Sequence, residues 1–262
     1  MTLLVNEIHT VEGFKRTVLV AAADERLTHY DRKRSVHSLQ PKLFEVPYLN
    51  GCVSFFGFAT DGGAFRLWEF LPNFIRHHSD ITDLATFSVE LQRSLEEKIP
   101  RETLRERASG LHICGYGQKR PFLPDHYFLT NIRETDPRGV PTKLKDRYIG
   151  PGSNFLERDA KRLGWDGTNP MSAASGLIQI YRNGDFQVHA LTSEHIDGIF
   201  KDLRALPDYR HPTTPEEYKT YMRFKLDLIY RIHKEWMRPN LVGGRPRVMA
   251  WTCNDDKVKK VE

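Results

Sequence analysis

The sequence predicts an α+β fold, and its coarse organisation agrees with a four-layer α-β-β-α sandwich in which two antiparallel sheets face each other and helices cover the outside. Three observations point to it. Apolar strand-like runs and helical stripes come in blocks rather than in strict alternation, which argues against a doubly wound parallel sheet. Two of the helical stripes are apolar on one side only, as helices covering a sheet must be. Arg182-Asn183-Gly184-Asp185 is a turn signal between Leu177-Ile178-Gln179-Ile180 and Phe186-Gln187-Val188, as an antiparallel hairpin requires. At 262 residues and 39% hydrophobic, the chain can bury a full core and is most simply one domain, 1–262, with an insertion at about 131–176.

The first strand starts at Thr2-Leu3-Leu4-Val5, and a second runs from Thr17 through the small residues Ala21-Ala22-Ala23 to a charged cluster beginning at Asp24. A third begins at Pro41-Lys42-Leu43-Phe44-Glu45-Val46, with a lysine at its entrance, and a fourth is Cys52 to Ala59, containing Gly57. A helix from about Gly63 to His78, interrupted or kinked at Pro72, precedes a second whose stripe is Leu84, Phe87, Leu91 and Leu95, capped by Asp80 or Thr82 with Lys98 near its end. Leu111 to Gly117 and Tyr127 to Asn131 are further strands.

The segment 131–176 is rich in glycine, proline and charge, with a short helix expected over 155–163. Leu177 to Ala190 reads as the hairpin above, or as a strand running into a third helix. Thr214-Pro215-Glu216-Glu217 is a capping box with proline at the first helical position, and Tyr218, Tyr221, Met222, Ile229, Ile232 and Trp236 share one face of the helix it opens. Pro239 ends that helix and a last strand follows over Arg247 to Trp251.

Composition narrows the function classes. No apolar stretch approaches the ~20 residues that cross a membrane and the start has no signal-like layout, so a cytoplasmic protein is expected. Net charge is +5, with clusters at Arg32-Lys33-Arg34 and Lys257 to Lys260, which read as a solvated face and tail; no nucleic-acid-binding signature concentrates them. Cys52, Cys114 and Cys253 sit in apolar runs without a CxxC pair and read as buried thiols rather than metal ligands. Adjacent His77 and His78 point to different helix faces, and His9 has no carboxylate at a ligand spacing, so no metal is expected. Ser109-Gly110 and Ser175-Gly176 lack the flanking glycine of a nucleophile elbow. No cofactor or nucleotide motif is present.

Removal of Met1 would leave Thr2 with a free α-amine, a nucleophile and a base in one residue. An amine with pKa near ~8 is partly unprotonated at neutral pH and can take the hydroxyl proton, whereas an amide nitrogen cannot. Asp24 and Lys42, each at the end of an apolar run, serve equally as a structural ion pair or as the charges beside such a nucleophile.

These pieces together resemble the proteasome β-subunit superfamily of N-terminal nucleophile hydrolases. Thr2-Leu3-Leu4-Val5 is similar to the family's first strand, Val20 to Arg26 to its Val-x-Ala-Ala-Asp-Ser-Arg strand, and Lys42 to Val46 to the strand bearing its active-site lysine. Gly57 falls at the oxyanion-hole glycine, Ile113-Cys114-Gly115-Tyr116 at an Ala-Gly-Tyr strand, and Val242-Gly243-Gly244 at the Gly-Gly before a late strand. The likeness covers 1–130 and about 177–254. It departs in a longer turn over His9 to Arg16, in 131–176, and at the accessory serine and aspartate, where Pro239 and Val242 stand.

The resemblance implies a threonine-dependent amidase or peptidase that assembles with itself, with Thr2, Asp24, Lys42 and Gly57 catalytic. Gly184 and Asp185 then lie close to the nucleophile and are substrate-binding candidates. The Gly57 N–H, just before a helix N-terminus, would receive the oxyanion. The alternative is a non-catalytic relative that keeps the sandwich as a scaffold or binding subunit.

Overall fold

β1 (Leu3–Thr10) and β2 (Thr17–Ala23) are buried along their whole length, because both of their faces meet other elements. They pair antiparallel from Leu4 opposite Ala23 to Thr10 opposite Thr17. In the computed structural model, which describes residues 3–11, 16–31, 34–61, 63, 65–117, 124–137, 139–150, 176–184, 187–237 and 242–253, the chain is α+β and its sheets are antiparallel. β10 (Gly176–Gly184) and β11 (Arg247–Thr252) flank the first pair, so that one sheet has the order β10-β1-β2-β11. The small side chains of Ala21, Ala22 and Ala23 face Met249, Val248 and Arg247 across the last pairing.

β3 (Arg26–Asp31) and β4 (Arg34–Leu39) form a separate two-stranded hairpin. Residues 32, 33 and 257–260, two of whose basic clusters the sequence singled out, lie outside the described residues. The second large sheet has the order β5-β6-β7-β8-β9, from β5 (Leu43–Val46), β6 (Gly51–Gly57), β7 (Ser109–Gly115), β8 (Asp125–Thr135) and β9 (Pro141–Ile149). The first part of the stretch expected as an insertion is therefore sheet: β8 runs four residues past Asn131 and β9 returns along it. The helix expected over 155–163 lies outside the described residues.

α1 (Leu67–His77) begins later than Gly63 because Asp61 competes for the preceding amides, its Oδ1 accepting from the Gly63 N–H at 2.7 Å and the Phe65 N–H at 3.3 Å. Pro72 lies within α1 without ending it. α2 (Leu84–Lys98) is capped by Asp83, not by Asp80 or Thr82; its carboxylate accepts from the Thr86 N–H at 2.8 Å and the Thr86 hydroxyl at 2.7 Å. α3 (Arg101–Glu106) is short and is tied to the sheet by buried Asn131, whose amide donates to the Leu104 and Arg107 carbonyls while its oxygen accepts from the Ser109 N–H.

The Arg182 to Asp185 signal leads into a helix, not a hairpin: β10 ends at Gly184 and α4 (Gln187–Leu203) follows. α5 (Pro215–Trp236) opens with the expected capping box. No described helix is long and apolar enough to cross a membrane.

Three clusters make up the core. One packs α1 and α2, through Leu71, Phe74, Phe87 and Leu91, on Val53, Phe55, Leu111 and Ile113 of the five-stranded sheet. Another packs α5, through Tyr218, Met222 and Ile229, with Val188 of α4 on Leu3, Val5, Val18 and Val20. The third joins the alternate residues of both sheets, Leu4, Ile8, Leu19 and Ala21 with Leu43, Cys52, Phe56 and Cys114. The period-2 alternation of a strand thus sends neighbours on β1 to opposite sides. All three cysteines are buried and none is in a disulfide among the described residues; Cys52 and Cys114 are cross-strand partners.

Candidate active site

The start of β1, the end of β2 and the entrance of β5 meet at Asp24. Its Oδ1 accepts from the Leu3 N–H at 3.0 Å and from the Lys42 ammonium at 2.9 Å, and its Oδ2 accepts from the Gly243 N–H at 3.3 Å. The Asp24 N–H in turn donates to the Leu3 carbonyl at 3.1 Å. Lys42 also donates to the Arg26 carbonyl. Both charged side chains are inaccessible to solvent. The arrangement has a local cause. β2 is apolar to its last residue, so Asp24 is the first charge the chain meets on leaving the strand, and Lys42 is the last before β5 turns apolar.

Burial pushes the Lys42 ammonium below the usual lysine range, opposed by the Asp24 carboxylate. Burial likewise pushes Asp24 up, opposed first by Lys42 and then by the Leu3 and Gly243 amides. A lysine held this way is a positive charge that solvent does not screen.

The other expected residues fall as follows. Thr2 and Asp185 lie outside the described residues; Leu3, the residue bonded to Thr2, is the one docked on Asp24. Gly184 ends β10 directly opposite Leu3 with φ of +85°, a conformation that favours glycine. Gly57 ends β6 with φ of +78°, and a Cβ there would come 2.1 Å from the Ala108 carbonyl oxygen. It is two residues beyond Phe55, whose N–H donates to the Lys42 carbonyl at 3.1 Å, so it lies at the same end of the sheet as Lys42. It does not stand just before a helix N-terminus. α1 starts ten residues later, because a Thr60–Arg66 bridge intervenes. His77 and His78 each bond the carbonyl one turn back, Asn73 and Phe74.

Two polar clusters escaped the sequence reading. On the helix side of β1, the Glu7 carboxylate meets the Lys225 ammonium at 2.6 Å and His9 Nε2 at 3.0 Å, while Asp197 meets Lys225 at 2.8 Å and the Tyr221 hydroxyl. Burial raises the Glu7 carboxyl, but Lys225 and His9 outweigh it and hold it well below the usual range. Burial lowers Lys225, and Glu7 and Asp197 more than restore it. A signal existed: Lys225 falls inside the apolar stripe of α5, and a lysine there requires a buried anion.

Between the sheets, His112 Nδ1 lies 2.6 Å from the Asn6 amide and its Nε2 2.7 Å from the Asn183 amide. A neutral imidazole has one donor and one acceptor, so one asparagine presents its oxygen and the other its NH2. Burial pushes His112 down to about 3. Asn183 precedes Gly184, which places this bridge beside the start of β1. No model of a known protein family matches the chain, and no curated protein sequence matches it.

Proposed function

We propose that the chain is an N-terminal-threonine hydrolase of amide or peptide bonds, a proteasome-like N-terminal nucleophile hydrolase with the four-layer α-β-β-α sandwich and single-domain organisation that go with it. The observation that carries this reading is the buried Asp24–Lys42 pair on the Leu3 amide, a solvent-shielded positive charge next to the residue that follows Thr2. The three core clusters, helices on each sheet and a seam between the sheets, support the layered architecture.

In this reading Thr2 Oγ attacks the carbonyl carbon, its free α-amine takes the hydroxyl proton, and that proton passes to the leaving amine as the C–N bond breaks. Water then adds to the acyl ester, restoring the hydroxyl and releasing the acid. Lys42 favours the alkoxide and lowers the amine pKa toward working pH. The Gly57 N–H receives the developing oxyanion, a contribution worth roughly 10²- to 10³-fold at comparable sites. Gly184, opposite Leu3, and Asp185 border the substrate. The enzyme works in the cytoplasm as a homo-oligomer on a peptide or amide substrate, without a cofactor.

The second reading, a catalytically inactive scaffold or binding subunit, is favoured by Gly57, which has no helix dipole behind its amide.

The test is the intact mass of the native-start protein before and after a β-lactone electrophile, with Thr2→Ala as control. Loss of methionine and a single adduct that vanishes in the control are expected. Retained Met1, or a processed chain without adduct, would replace the hydrolase with the scaffold.

A further inference from the structure

A cleft of about 440 Å³ opens on the helix side of the four-stranded sheet, between α4, α5 and the β1–β10 pair. Small-molecule sites typically occupy ~300–1,000 Å³. His9 lies at its floor, six residues along β1 from Leu3 and therefore about 20 Å from the Asp24–Lys42 pair. The cleft is thus separate from the candidate active site.

The floor is polar and built. His9 is only 3% exposed yet lines the cleft. Its Nε2 faces a Glu7 carboxylate that can only accept, so Nε2 carries a proton and donates to it at 3.0 Å. Nδ1 has no hydrogen-bond partner among the described residues. The ring is held over Tyr218 with centroids 4.5 Å apart and edge-on to Tyr221. Below it, Glu7 and Asp197 are already engaged by Lys225, so the floor's own carboxylates are satisfied.

The walls differ. Phe200, Tyr221 and Ile180 give an apolar surface, Phe200 and Tyr221 meeting edge to face at 4.6 Å. Around them stand Glu194, Lys201 and Arg204. Glu194 and Lys201 form no ion pair with any described residue, and the Arg204 guanidinium is oriented by donating to His211 Nε2 at 2.5 Å. Gly198 lies between Glu194 and Lys201 on α4, and a Cβ added there would meet nothing within 4 Å.

A ligand that used the groups around the cleft would carry a carboxylate for Lys201 and Arg204, a protonated amine for Glu194, and an apolar side chain for the aromatic wall. The geometry points to a second ligand site in this cleft, one that takes a small zwitterion of the amino-acid type bearing an aromatic or large aliphatic side chain.

The test is calorimetric titration of the full chain with L-phenylalanine, compared with 3-phenylpropanoate, which lacks the amine, and phenethylamine, which lacks the carboxylate. Saturable one-to-one binding is expected, with each analogue weaker by about tenfold or more. Gly198→Leu fills the open space with a better helix former, so it should abolish binding without lowering the melting temperature. Arg204→Gln should weaken L-phenylalanine and 3-phenylpropanoate but not phenethylamine. Thr2→Ala should bind as the wild type does, which keeps this result independent of the hydrolase reading. Absence of saturable binding at millimolar L-phenylalanine, equal affinity for either analogue, or undiminished binding by Gly198→Leu would overturn the proposal.

Discussion

Lys42 and Asp24 are each tolerable in the interior only because the other is there. Removing one partner of a buried pair leaves an uncompensated charge and typically costs ~3–5 kcal/mol, whereas replacing both can be close to neutral. Lys42→Met is therefore expected to lower the unfolding free energy by about that amount, and Asp24→Asn with Lys42→Met together to recover much of it. Urea denaturation of the single and the double variant checks this, and a single-variant cost below ~1 kcal/mol would show that the two residues do not act as a buried pair.

His112 makes a different kind of prediction. Its imidazole is neutral in the fold, with its pKa pushed by burial to about 3 from an ordinary 6.5. Below 6.5 the unfolded chain takes a proton that the folded chain refuses, so the stability contributed by the neutral ring is complete above that pH. It is lost progressively as pH falls toward 3. Burial also holds His189 down, at about 4, so the two losses overlap. Denaturation midpoints between pH 7 and 4 should fall steadily, and His112→Gln should flatten the slope without removing it. An unchanged slope would mean that the ring protonates without unfolding its surroundings.

Among the elements, α5 is the one whose limits the sequence marks most sharply. The Glu217 carboxylate accepts from the Thr213 and Thr214 amides at 2.8 and 3.0 Å, while the Glu217 N–H donates back to the Thr214 hydroxyl. Thr214→Ala removes one half of that exchange and should cost ~1 kcal/mol, read as a shift in urea midpoint. α1 shows the limit of the same reasoning. Its apolar positions are legible, but Asp61 captures the Gly63 and Phe65 amides and delays the helix start to Leu67. At β10 the turn signal was genuine, since Gly184 does adopt a positive φ, but the chain leaves that turn as a helix because Val188, His189, Ser193 and Ile196 form a buried stripe of period 3.6.

At the scale of the whole molecule, two of the three core clusters pack helices on one large sheet each, and the third is a seam of apolar residues drawn from both sheets. Cys52, Cys114 and Cys253 all belong to that seam. Burial, and then the neighbouring Cys52, push the Cys114 thiol well above its ordinary range, so little thiolate exists to react. The native protein should show no rapid reaction with Ellman's reagent from these three thiols, and all three should react on unfolding in urea. Rapid native-state modification would place at least one outside the seam. Along β1, successive residues meet different surroundings. Leu3 docks at the candidate active site, Asn6 faces His112 between the sheets, and Glu7 and His9 floor the cleft under α4 and α5.

What the sequence determined by itself is whatever a local run of residues can encode: the small-residue strand that ends at Asp24, the lysine opening β5, the capping box of α5 and the antiparallel α+β class. Asp24 and Lys42 were legible as candidates because each borders an apolar run, Asp24 as the first charge after β2 and Lys42 as the charge at the entrance of β5. Their contact depends on how the end of β2 and the entrance of β5 come together in space. Glu7 and Lys225 stand 218 residues apart, and nothing near either residue names the other. Only the tertiary structure decided which buried charges are neutralised and which clefts they floor, because compensation of a buried charge requires a partner within about 3 Å in space, at whatever distance along the chain.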